Sequence, residues 1–324
     1  MPLQTPLTHK LAIEHPVLLA PMDLVADAEL TAAVSAAGGF GILGGGYADG
    51  AWLTEQLDRL EGRALRFGVG FITWSLAKQP QLLDLVLERR PGAVMLSFGD
   101  AKPFAERTRR AGTLVICQVQ SVSMATDAVA AGADILVVQG TEAAGHGASR
   151  GTLSLVPEVV DAVRADVPVV AAGGIADGRG LAAALMLGAS GVLMGTRFYA
   201  TTEAAGALEA KQRIVQANGD ATLRGMLFDI TRQRHWPAPF TGRCLLNEHA
   251  RHWRGREVEL LHNLEAVSAT YEAARATGNF DVLPVIAGEA AGLVRDIVPA
   301  SAVVQRVVEQ ATALLNARGG RSAG

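Results

Sequence analysis

Eight short apolar runs recur along the first two-thirds of the chain, at residues 17–20, 40–43, 67–72, 93–98, 114–119, 135–139, 169–172 and 192–194. Between them lie Ala- and Leu-rich or amphipathic stretches at helical spacing, among them 28–37, 53–60, 82–89, 124–131, 156–163 and 180–187. Strand and helix in alternation imply parallel strands, because a parallel return needs a crossover element. The runs also lack in/out alternation, as strands covered on both faces do. Eight such units are the number that closes an α/β (β/α)8 TIM barrel. An open doubly wound sheet is the competing arrangement. Its usual Gly-x-Gly-x-x-Gly after the first strand is missing, and Ala20-Pro21-Met22-Asp23 stands there instead.

After about residue 217 the pattern changes. Seven arginines fall between Arg224 and Arg256, together with His235, Trp236, His249, His252 and Trp253. No strand signal is visible in this stretch. Trp236-Pro237-Ala238-Pro239 reads as loop, and 257–277 as helix ending at Gly278-Asn279. A last Ala/Val/Leu-rich helix, 301–318, reads as barrel wall again. The expected organisation is a barrel of residues 1–216 and 284–324 with a helical, substrate-capping insertion, 217–283, after the eighth strand. The closing GGRSAG reads as a frayed end.

Composition narrows the function classes. Hydrophobic residues make up 49% and charged residues 19%, enough for a sizeable core. A net charge of −3 gives no electrostatic reason to expect nucleic acid or an anionic membrane as partner. The arginines of the insertion are interspersed with Asp229, Glu248, Glu257 and Glu259, so they read as a solvated, salt-bridged face. No apolar run approaches the ~18–20 residues of a membrane span, and MPLQTPLTHK is not followed by a signal-peptide core. Two cysteines, Cys117 and Cys244, supply no disulfide framework or four-Cys zinc site, so a reducing, cytoplasmic setting is the expectation. A homo-oligomer is compatible with the sequence, and nothing in it fixes that state. His249 and His252 stand three apart, but no carboxylate or Cys is clearly placed to complete a metal site.

Glycine is the outlier, at 36 of 324 residues, and it clusters at strand ends. In parallel barrels the chemistry sits just beyond those ends. Gly173-Gly174 follows the seventh run, and Met194-Gly195-Thr196 ends the eighth. Two side-chain-free turns in those positions suit a phosphate held by backbone N–H groups, although tight turning alone would also explain them. Gly140-Thr141-Glu142-Ala143-Ala144-Gly145-His146-Gly147 follows the sixth run and puts one imidazole at the mouth of the barrel. Histidine suits proton transfer near neutral pH; a lone loop His is also often mere surface. Ala20-Pro21-Met22 could lay a thioether against a flat ring or simply end the first strand.

These strings resemble the nitronate monooxygenases, formerly called 2-nitropropane dioxygenases. LLAPMDLVADAELTAAVSAAGGFGILGGGY carries the N-terminal match, followed in order by QGTEAAGHG, PVVAAGGIADGRGLAAALMLGA and VLMGTRF. The likeness is specific from about Pro6 to Ala204 and weaker through WPAPFTGR and AGEAAGLVRDI. It implies an FMN-binding TIM barrel with a helical cap. Ala20, Pro21 and Met22 would lie against the isoalloxazine. Gly173, Gly174, Gly195 and Thr196 would hold the FMN phosphate, Met194 would be a further cofactor contact, and Gly140 and Gly145 would leave room for the flavin's edge. His146 would be the catalytic base that takes the α-proton of a nitroalkane, or would bind a nitronate already formed. Dioxygen would then yield a carbonyl compound and nitrite.

The chain departs from some relatives at two flavin positions, with Gly70 where others carry Asn and Gln118 where some carry Lys. A neutral Gln118 could contact the flavin but could not stabilise its anion by full charge. A related branch uses the same loop in flavin-dependent enoyl-ACP or quinone reductases that oxidise NAD(P)H. RFGVGFITWSL, with Trp74 beyond the third strand, looks more like the nitronate-oxidising branch.

Overall fold

The computed structural model describes residues 3–319, so the expected fraying of the GGRSAG tail falls almost wholly outside it. Eleven strands are present among those residues: β1 (Val17–Leu19), β2 (Gly41–Gly44), β3 (Phe67–Ile72), β4 (Ala93–Ser97), β5 (Leu114–Val119), β6 (Ile135–Gln139), β7 (Gly145–Gly147), β8 (Val169–Ala172), β9 (Gly191–Met194), β10 (Thr222–Gly225) and β11 (Thr241–Leu245). Eight of them form one parallel sheet in the order β1-β9-β8-β6-β5-β4-β3-β2. The two ends meet through a parallel bridge between Leu18 and Phe40, which closes the TIM barrel.

The runs of Val, Ile and Leu are buried on both faces, and strand parity divides the core in two. Leu18, Phe40, Ile42, Met95, Ile116, Val137, Val170 and Leu193 fill the barrel, plugged by Leu7 and Leu11 of helix Pro6–Leu11. Alternate residues such as Leu19, Val69, Leu96, Val138, Val192 and Met194 pack outward against the helices. Helix Ala300–Gly319 closes the wall against helix Gly178–Met186. A Cβ on Gly178 would stand 2.5 Å from both Ala311 N and Val307 O, so the two helices touch through a glycine. Side chains of Asp27, Asp49, Ser121, Asp177 and Asn247 cap helix N-termini, each worth ~1 kcal/mol.

The insertion differs from the expectation in two respects. It carries strands β10 and β11, which join β7 in a second, antiparallel sheet ordered β10-β11-β7. TLRG and TGRCL lack an apolar run because this sheet is half-exposed and held by backbone pairing. The long helix is split into Glu257–His262 and Leu264–Thr277; its end at a left-handed Gly278 is as read from the sequence. Among the described residues, no helix is long and apolar enough to cross a membrane.

Candidate active site

The loop after β6 is held on three sides. The Glu142 carboxylate accepts from Thr152 N at 3.0 Å and Thr152 Oγ1 at 2.8 Å. From β10, the Arg224 guanidinium donates to the carbonyls of Thr141 (2.9 Å), Ala143 (2.8 Å) and Gly147 (3.3 Å). Burial, then the charge of Arg243, pushes Arg224 down to about 10, so it stays cationic at neutral pH. The loop ends in β7, where His146 pairs across the ladder with Gly242 of β11. A Cβ on Gly242 would lie 3.4 Å from His146 Nε2, so the bare backbone there leaves the ring its place.

The imidazole is enclosed. Its Nε2 stands 2.8 Å from Asp229 Oδ2, and both side chains are under a tenth exposed. Asp229 lies on the short helix Leu227–Thr231 of the insertion, and its other oxygen accepts from Arg232 at 3.0 Å. The Trp236 ring lies flat on the imidazole, with centroids 3.4 Å apart and planes 6° from parallel. Burial pushes His146 below the ordinary imidazole value, against the upward pull of the Asp229 hydrogen bond and charge, and Arg232 and Arg224 add to the lowering. The ring is therefore neutral at pH 7 and able to accept a proton.

Around it stands an aromatic wall. Trp236 meets Phe98, Trp74 and Tyr47 edge-on at 5.1, 5.4 and 6.1 Å and donates from Nε1 to the Tyr47 hydroxyl at 3.0 Å. Phe98 reaches this wall with φ +63, a left-handed conformation that costs a side-chain-bearing residue ~1 kcal/mol or more. Lys78 Nζ sits 4.8 Å from the Trp74 ring and the Arg234 guanidinium 4.5 Å from that of Tyr47, so two cations stand over rings of the wall.

The strand-end residues come together unevenly. Ala20, Met22 and Gly195 converge: a Cβ on Gly195 would meet Ala20 Cβ at 3.4 Å and Met22 Sδ at 3.6 Å. Gly173 and Gly174 turn at φ +103 and +72. Among the described residues, the N–H groups of Gly173, Gly174, Gly195 and Thr196 have no protein acceptor. Thr196 Oγ1 accepts from Gly288 N at 3.0 Å, which leaves its hydrogen free to donate.

At two other expected flavin positions, Gly140 and Gly70, the space a side chain would take is filled by the chain itself. The space a side chain would take at Gly140 holds Thr152 Oγ1, 2.0 Å from such a Cβ. That at Gly70 holds the Pro21 ring, with Cβ and Cγ at 2.4 and 2.5 Å. Gly145, at φ +63, has only Ile286 within 4 Å. Gln118 Nε2 donates to Gln139 Oε1 at 2.8 Å, an oxygen that also accepts from Gln120. Leu193 points into the barrel, so the Met194 side chain points out into the wall, while its carbonyl lies at the first-strand turn and accepts from Ala20 N.

Asp229, Arg232 and Arg224 belong to the site, and the sequence marked none of them. His249, by contrast, is a core residue of the insertion, bonded to Thr231 Oγ1 at 3.0 Å and packed on Phe228. His235 is exposed. No cluster of three potential metal ligands exists among the described residues. Both cysteines are buried, and burial pushes each thiol up to about 12, so neither is a nucleophile at neutral pH.

Comparison with known proteins fits this geometry. A sequence model of the family described as nitronate monooxygenase matches residues 4–65 and 64–310. A nitronate monooxygenase of Metarhizium robertsii is 39% identical, over 92% of this chain and 91% of its own. The structure of FabK from Thermotoga maritima superposes with a TM-score of 0.86 at 30% identity, covering 98% of this chain and 99% of that one. A nitroalkane oxidase from Streptomyces ansochromogenes superposes at 0.82 with 27% identity, covering 97% and 100%.

Proposed function

Because this chain belongs to the nitronate monooxygenase family, we propose that it oxidises alkyl nitronates with dioxygen to carbonyl compounds and nitrite, using FMN. The observation that carries the reading is the buried imidazole of His146 at the mouth of the barrel, bonded to Asp229 at 2.8 Å, covered by Trp236 and walled by further rings over which Lys78 and Arg234 stand. Such a pocket suits a small, weakly polar nitroalkane and, after proton loss, its anion.

The residues fit FMN. Four unpartnered N–H groups on two glycine turns, with the Thr196 hydroxyl beside them, offer donors for a phosphate. Gly195 stands against Ala20 and Met22, so a ring laid at the first-strand turn would meet bare backbone there. Bound there, a flavin supplies an electron acceptor and a partner for dioxygen, chemistry no side chain of this chain can offer. The protein's share is to bind, to shield and to move a proton. His146 takes the α-proton of a neutral nitroalkane at Nδ1. The ring wall shields that transfer from water, and Lys78 and Arg234 over its rings favour the nitronate that results.

The likeness to FabK supports a second reading, a flavin-dependent NAD(P)H reductase on the same barrel. An anaerobic experiment separates the two. Purified protein with its flavin spectrum recorded is mixed with ethyl nitronate in one cuvette and with NADH or NADPH in another. We expect nitronate alone to remove the oxidised-flavin absorbance, and nitrite to form on admitting air. Rapid bleaching by the nicotinamide alone, with nitronate inert, would transfer the protein to the reductase branch.

A further inference from the structure

The base is assembled from two parts of the chain, and we infer that Asp229 is the positioning residue that selects which nitrogen of His146 takes the proton. The inference rests on the reading of His146 as the base. The two residues are 83 positions apart, one on the barrel loop and one on the insertion. A carboxylate accepts only, so the 2.8 Å contact makes Nε2 the N–H and leaves the lone pair on Nδ1. Among the described residues Nδ1 has no hydrogen-bond partner, and it is not sealed from solvent.

Asp229 is itself fixed. Arg232 holds Oδ1 at 3.0 Å, and the same guanidinium is tied back through Nε to Phe228 O at 3.1 Å. The ring cannot rotate away to another partner, because Trp236 lies on its face and Gly242 faces its backbone across the ladder. The charged groups facing the ring are Asp229 from helix Leu227–Thr231, Arg232 just past that helix's end and Arg224 from β10; Glu142, on the ring's own loop, is committed to Thr152. Of these, Asp229 alone stabilises an imidazolium, so it both sets the tautomer and supports the proton once transferred.

Asp229→Asn tests this. The amide's oxygen will turn to Arg232 and its NH2 to Nε2, which reverses the tautomer and puts the hydrogen on Nδ1. We expect kcat/KM for a neutral nitroalkane to fall by about 10²-fold or more. Turnover of preformed ethyl nitronate should fall at least about tenfold less than that of the nitroalkane, because that substrate needs no deprotonation. The acid limb of the nitroalkane pH profile should move to lower pH, since the stabilising anion is gone. Asp229→Glu should restore part of the rate, and retained flavin with an unchanged melting temperature reports folding.

A readout free of turnover comes from imidazole ¹⁵N NMR. Wild type should show His146 protonated at Nε2, and the Asn variant at Nδ1. A wild-type Nδ1–H tautomer, or equal losses on nitroalkane and nitronate, would overturn the inference. If the NMR result holds while nitronate is inert, the proposed reaction fails and the Asp229–His146 pair stands.

Discussion

Trp236→Ala should move the pH dependence in the direction opposite to that of Asp229→Asn. Burial is the largest cause of the lowered His146 value, and the indole lying flat at 3.4 Å is the nearest cover over the ring. Three edge-on ring pairs are each worth ~0.5–1.5 kcal/mol, and the Tyr47 hydrogen bond about 1 kcal/mol. The half-exposed position of Trp236 brings the expected loss for Ala to about 2–4 kcal/mol, most of it local to the mouth.

Water then reaches the imidazole, its charged form is better solvated, and its value climbs toward the ordinary ~6.5. Because the neutral ring is the active form, the acid limb of kcat/KM for nitroethane should shift upward. A steady-state pH series on nitroethane, paired with NMR titration of His146, measures both quantities. An unmoved limb, or one that falls, would show that the aromatic cover does not set the basicity of His146.

His146→Asn should keep its yellow flavin and lose ~10²–10⁴-fold in kcat/KM on neutral nitroalkanes while preformed nitronates still react; equal activity on nitroethane would remove His146 as base. Gly174→Val places a β-branched side chain at φ +72, a strain of ~1–3 kcal/mol beside the unpartnered N–H groups, and should lower FMN retention after gel filtration. Arg224→Met leaves the carbonyls of Thr141, Ala143 and Gly147 short of their shared donor. It should lower the melting temperature and raise amide exchange across 141–147 ahead of the barrel strands.

The barrel was legible because its strands are buried on both faces, so eight Val/Ile/Leu runs stand out against the helices between them. His146 was legible for a related reason. Glycines on either side of one titratable residue, just past a strand end, leave few plain explanations. Gly140 and Gly70 carried a weaker signal than they seemed to offer, since in each case the missing side chain makes room for Thr152 or Pro21. The outward side chain of Met194 follows from parity, since an inward Leu193 obliges its neighbour to face the wall.

What stayed hidden depends on the chain folding back on itself. Strands β10 and β11 recruit β7 through backbone hydrogen bonds, which leave no apolar pattern in TLRG, TGRCL or GHG. Asp229 and Arg232 sit in LFDITR, an ordinary amphipathic turn whose charges look solvated until the insertion carries them to the imidazole. Proton transfer at a buried ring needs an orienting partner with its own support, and nothing requires that partner to be near in sequence. A helical cap that merely covered the barrel would have left Nε2 of His146 without an acceptor. The second sheet fixes β11 in register with the loop, and the Asp229 contact made beside it then determines which nitrogen of His146 is basic.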